Sequence, residues 1–146
     1  MMKKIPLLIT LAMLIFPLSL QAHDTDAKHM KKKDAVKLYI IEPKNGETVS
    51  QIFTAKFALE GFGIAPAGTN KENTGHHHLL IDMEKLPDLT KTLPATDNIK
   101  HFGGGQTETE LTLPPGEHTL QLLLGDYLHV PHAKPIISRK ITIVVK

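Results

Sequence analysis

Residues 107–126 read TETELTLPPGEHTLQLLLGD, and the two halves of this stretch decide the fold class. In the first half Glu108, Glu110 and Thr112 alternate with Thr109, Leu111 and Leu113, so one face is wet and the other dry, the two-residue period of a strand. In the second half, Leu120-Gln121-Leu122-Leu123-Leu124 would suit a helix by composition. Pro115-Gly116 just before it and Gly125 just after it leave too little length for one, so the run reads as a central strand.

Outward from this pair the apolar signal keeps coming in pieces of strand length: Val36 to Glu42, Gln51 to Leu59, His77 to Met83 and Ile136 to Val145. Turn-forming residues separate them, among them Pro43-Lys44-Asn45-Gly46, Gly61 to Gly68, Pro87-Asp88, Gly103-Gly104-Gly105 and Val130-Pro131-His132. About seven short strands joined by tight turns predict an all-β, immunoglobulin-like β-sandwich with little helix, at most one turn near Lys85 to Thr92. Residues 35–146 form the single domain.

The N-terminal end carries an address. Lys3 and Lys4 precede an apolar run from Ile5 to Leu20 and then Gln21-Ala22, the pattern of a secretory signal peptide over residues 1–22, with His23 first after cleavage. A periplasmic location follows as the expectation. The run is short for a bilayer crossing, which takes roughly 20 apolar residues, and no later segment approaches that length, so no membrane span is expected. Residues 23–34 are polar and lysine-rich without apolar period and read as a flexible N-terminal arm, with Lys31-Lys32-Lys33 as a solvated charge run.

Charge and cysteine content exclude several chemistries. Without Lys3 and Lys4 the 17 basic residues fall to 15 against 15 acids, and this neutral balance makes no electrostatic case for nucleic acid as a partner. The chain has no cysteine, which removes thiolate catalysis, disulfide staples and a lipid-anchored lipoprotein.

Nine histidines remain, and their placement matters more than their number. His76, His77 and His78 are consecutive; on a strand His76 and His78 share one face while His77 joins Leu79, Ile81 and Met83 on the other. A His-x-His pair can close on one cation, and neutral imidazole suits zinc, copper, nickel or iron. His129 and His132 flank Val130-Pro131 in a stiffened turn, and His101 precedes the triple glycine. The expectation is that His76, His78 and His129, with His132 or His101, converge on a metal ion, copper or zinc first, with Asp82 or Asp126 as a supporting carboxylate. The plainer readings are that His77 and His118 are packed or turn residues, that His-x-His is an ordinary strand feature, and that His129 and His132 order a loop through hydrogen bonds. A further option is copper held by the His23 amino group and ring, with His29-Met30 nearby.

Other motifs carry less. Gly103-Gly104-Gly105 lacks the following helix that a phosphate loop needs and reads as a tight turn or bulge. No Gly-x-Ser-x-Gly is present to support serine catalysis, and Glu108 and Glu110 lie on a solvated face.

Taken together, Gly75-His76-His77-His78-Leu79-Leu80-Ile81-Asp82, His101-Phe102-Gly103-Gly104-Gly105-Gln106-Thr107-Glu108, Pro115-Gly116-Glu117-His118-Thr119-Leu120-Gln121-Leu122, and Gly125-Asp126 with His129-Val130-Pro131-His132 make the chain resemble the bacterial exported family called domain of unknown function 4399. The resemblance spans Val36 to Lys146 and implies location and domain extent, with no established activity. The leading reading is thus a periplasmic metal-binding protein without a catalytic cycle. The alternative is an envelope recognition module that binds a protein or glycan through Gly61 to Gly75 and Tyr127 to Lys134, with Tyr127 and Phe102 as contacts. A weaker third reading is a metal-dependent enzyme with an open coordination position.

Overall fold

The computed structural model describes residues 35–146. The expected signal peptide, the N-terminal arm and the His23 copper site lie outside these residues. Among the described residues there are nine strands: β1 (Lys37–Glu42), β2 (Thr48–Val49), β3 (Ile52–Glu60), β4 (Gly63–Ile64), β5 (Thr74–Ile81), β6 (Ile99–His101), β7 (Glu108–Thr112), β8 (Gly116–Gly125) and β9 (Ile141–Val145). About seven strands were expected, and the six segments named from the sequence each overlap one of the longer strands; β2, β4 and β6, of two or three residues each, are too short to leave a periodic signal. No helix occurs among the described residues, including Lys85 to Thr92, where Asp88 instead closes a local turn by accepting from the Thr90 amide and hydroxyl.

The strands form two sheets. One has the order β1-β3-β7, with both pairings antiparallel. The other runs β2-β9-β8-β5, and the far edge of β5 is shared by β4, alongside Thr74 and Gly75, and β6, alongside His78 to Leu80. Between the sheets, Leu38, Ala55, Phe57 and Leu111 from the first meet Leu79, Ile81, Leu120, Leu122, Leu124, Ile143 and Val145 from the second. Alternation along β8 sends Leu120, Leu122 and Leu124 inward, and burying each such side chain contributes about 1.5–3 kcal/mol.

The outer face of the second sheet is also covered. Leu80 of β5 and Leu123 of β8 point away from the sandwich core and pack with Leu93 and Ile99, with Met83, Leu89 and Ile137 at the margin. Gly75 to Ile81 are therefore buried without a break, so β5 is covered on both sides, as a central strand beneath a layer of loops would be. Met83 joins this outer cluster rather than the inner face shared by Leu79 and Ile81, because Asp82 has a φ of 54° and breaks the strand alternation just before it. The Asp82 carboxylate accepts from the Thr119 amide (2.8 Å) and from the His118 ring (2.7 Å), which holds that turn in place.

Candidate metal centre

Strand β5 places His76 and His78 on the outer face, and both are fully buried. His101 of β6 is the direct cross-strand partner of His78, so their side chains emerge side by side. On the other edge His76 stands opposite Gly125, the last residue of β8. Beyond Gly125 the chain turns, and Asp126 organises the turn: its side-chain Oδ1 accepts from the Leu128 amide (2.8 Å) and the Val130 amide (2.9 Å), while its carbonyl accepts from the His129 amide (2.9 Å). The turn leaves His129 with a φ of 66°, an uncommon conformation for any residue but glycine. The His129 carbonyl accepts from the Leu93 amide, which ties the turn to the covering loop.

These elements bring four imidazoles together. The ring centroids are 4.8 Å apart for His76 and His78, 5.0 Å for His76 and His101, 4.9 Å for His76 and His129, 5.2 Å for His78 and His101, 4.6 Å for His101 and His129, and 6.1 Å for His78 and His129. A nitrogen ligand lies about 2.0–2.1 Å from zinc, which puts the ring centroid about 3.2 Å from the ion and any two tetrahedrally placed centroids about 5.2 Å apart. The six separations straddle that value. A square plane would instead need two opposite pairs near ~6.4 Å. The pair opposite His78 and His129 is His76 and His101, at 5.0 Å, so the four ring centres are spread closer to a tetrahedron than to a square plane. Among His76, His78 and His101, one nitrogen of each ring lies within 4.8 Å of those of the other two, a spacing that can hold a metal ion.

The nitrogens are also unsatisfied. Both ring nitrogens of His76 and both of His78 are buried without a hydrogen-bond partner. A neutral imidazole has one donor and one acceptor, and leaving a buried polar group unpaired costs about 1–3 kcal/mol; one cation shared by the two rings would satisfy the acceptor nitrogen of each. Burial first, and then the neighbouring imidazoles, push His76 down to about 4 and His78 down to about 3. His101 is lowered by burial and by His129. At neutral pH the rings of His76 and His78 are thus in the deprotonated form that binds metals.

Glycines make the room. A methyl on Gly125 would lie 2.7 Å from Cε1 of His78, and one on Gly103 would overlap the His101 ring. A methyl on Gly75 would meet the Gly125 carbonyl oxygen at 2.5 Å, so the close approach of β5 and β8 beneath the rings depends on it. Of the triple glycine, Gly103 serves the site while Gly105, at a φ of 82°, closes a turn back onto the Phe102 carbonyl. The triple glycine was expected only as a tight turn or bulge, and the contact between Gly125 and His78 crosses strands, so it has no local signal in the sequence.

The other histidines among the described residues lie elsewhere. His132 follows Pro131, which bridges back to Gly125, and its ring packs edge-on against Phe62 at 5.1 Å rather than beside the four. His77 points into the sandwich core, donates from Nδ1 to the Gln106 carbonyl (3.0 Å) and packs against Phe57. His118 sits between the Asp82 carboxylate and the Pro114 carbonyl. Asp82 is consequently occupied at the far end of β5, about 20 Å along the strand from His76, and does not support the cluster. The Asp126 carboxylate does act on it, favouring the charged form of His76 against the effect of burial. Phe102, expected as an exposed contact, is 7% exposed and packs on Phe57 in the core, which withdraws it from any recognition surface.

Among the described residues no helix is long and apolar enough to cross a membrane. No curated protein and no solved structure matches the chain. The model of one protein family, described as a domain of unknown function (DUF4399), matches residues 55–146, from within β3 to the last residue. That span holds all four imidazoles of the cluster and leaves out β1 and β2, which the expected extent from Val36 had included. With the match covering more than half of its length, the chain belongs to the DUF4399 family.

Proposed function

We propose that this protein binds one transition-metal ion, zinc or copper, through His76, His78 and His101, and serves in the bacterial periplasm as a metal buffer, carrier or accessory factor. The observation that carries this reading is the set of four buried ring nitrogens on His76 and His78 that have no hydrogen-bond partner and share their space with two further imidazoles. A cation is the partner that satisfies several imidazole lone pairs at once. The near-tetrahedral spread of the rings suits Zn(II) and Cu(I), which have filled d shells, better than ions that prefer a square plane. Export rests on the leader-like residues 1–22.

The group able to hold a metal contains no carboxylate, and Oδ1 of Asp126 accepts from two backbone amides of its own turn. The reading is therefore one of binding, with no reaction assigned to the site.

Calorimetric titration of the purified protein with Zn(II), and with Cu(I) under anaerobic conditions, tests the reading. The wild type is expected to take up one equivalent and a His76→Ala, His78→Ala variant none. Equal titration curves for the two proteins would remove the site.

A further inference from the structure

We infer that His129 is an exchangeable fourth ligand, through which the ion enters the site and passes to a partner molecule that offers its own donor group. This inference rests on the metal-binding reading above and adds to it a division of labour among the four rings.

The division follows from what carries each side chain. His76 and His78 lie on β5, which is hydrogen-bonded along both edges and buried on both faces. His101 is fixed beside them by its pairing with His78. These three form a preorganised tripod on sheet backbone. His129 comes instead from a turn rather than a strand, in an unfavoured backbone conformation; its ring is 4.6 Å from that of His101 but 6.1 Å from that of His78, and it is not among the three residues whose nitrogens close to within 4.8 Å of one another. His76 and His78 form the floor, while His101 is exposed and His129 half-buried, so solvent reaches the cluster from the side of these two rings. Leu128, next to His129, is 54% exposed, an apolar contact at the lip of the site.

Three nitrogens from strand backbone and a fourth from a turn outside the sheet is an arrangement by which a bound ion can change partners without ever being released bare. Withdrawal of His129 opens a coordination position that an incoming imidazole, thioether or thiolate can fill, and the tripod then loses its hold one ligand at a time. Four fixed ligands would close the ion off, whereas three fixed ligands leave a fourth position that a donor from outside the tripod can occupy.

The test compares wild type with His129→Gly and His129→Asn, both of which tolerate a positive φ and so preserve the turn. Each protein is loaded with one equivalent of Zn(II), and transfer to a chromophoric chelator is followed by stopped flow. Both variants are expected to keep one-to-one binding, to transfer zinc roughly tenfold or more faster, and His129→Gly to be slowed again by millimolar free imidazole filling the vacated position. Unchanged transfer in both variants, or loss of all binding as in a His78→Ala control, would overturn the inference, the latter by making His129 as indispensable as the tripod. Absence of zinc and Cu(I) binding by the wild type would instead bring down the metal reading beneath it.

Discussion

Replacing His76 and His78 together by leucine should make the metal-free protein less sensitive to acid. In the folded chain burial and the neighbouring rings hold His76 near 4 and His78 near 3, whereas in the unfolded chain each titrates near 6.5. Their folded values lie below the unfolded one, so the unfolded state takes up protons first as pH falls. The stability tied to these rings is complete above pH 6.5 and is lost progressively between that pH and the folded values of about 4 and about 3. At pH 5.5 an unfolded histidine is about ten-elevenths protonated while the buried ones are not, which costs about 1.4 kcal/mol per ring and about 3 kcal/mol for the pair. In urea, with a slope of about 1–3 kcal/mol/M, the wild-type midpoint should fall by roughly 1–3 M between pH 7.5 and pH 5.5 on account of these two groups. The leucine variant lacks that loss. It should also gain stability at pH 7.5, because unpaired buried nitrogens worth about 1–3 kcal/mol each disappear, less whatever strain the new side chains introduce. Urea titrations of chelator-treated protein at the two pH values read both effects. If wild type and variant lose the same stability on acidification, the two rings are not buried and neutral as described.

Two further perturbations probe the far end of β5 and the floor beneath the rings. His118 behaves oppositely: burial disfavours its charge, but the Asp82 carboxylate and the Pro114 carbonyl outweigh that and raise it, so its contribution is present below its unfolded value and fades as pH rises through the folded one. A His118→Gln variant should therefore lose roughly 1 kcal/mol at pH 5.5, after allowance for solvent screening, and less at pH 8.5, as read by thermal melts at both. Gly125→Ala would set a methyl 2.7 Å from the His78 ring and should cost about 1–3 kcal/mol while weakening metal uptake, measured by melting and calorimetry together.

Much of the sandwich was legible because its strands alternate. The wet-and-dry pattern of Glu108 to Leu113 and the proline and glycine that bracket Leu120 to Leu124 are local signals, and both segments are strands. The same two-residue period put His76 and His78 on one face and His77 on the other. What the period does not encode is that the outer face of β5 is covered as well, since that depends on residues 82–98 and 126–140 folding across it, as the packing of Leu93 and Ile137 on Leu80 and Leu123 shows. For the same reason His101 looked like a loop residue; a three-residue strand gains its register from its neighbour rather than from its own pattern. His129 was expected at the ion and His132 as an alternative to His101; the chain bridges back at Pro131 and the His132 ring turns to Phe62 instead. A supporting role was equally open to Asp82 and Asp126 by type. The left-handed turn at Asp82 and its bond to His118 occupy the first, while the second shapes the turn that carries His129.

The central claim, that a cation sits among these rings, is tested most directly by anomalous diffraction at the zinc and copper absorption edges from crystals grown with one equivalent of either metal. The account predicts a single strong peak enclosed by His76, His78 and His101, with ring nitrogens at about 2.0–2.1 Å and His129 on the remaining side. A peak at His132, at His118 or only on the protein surface, with the four rings bridged by water instead, would contradict it.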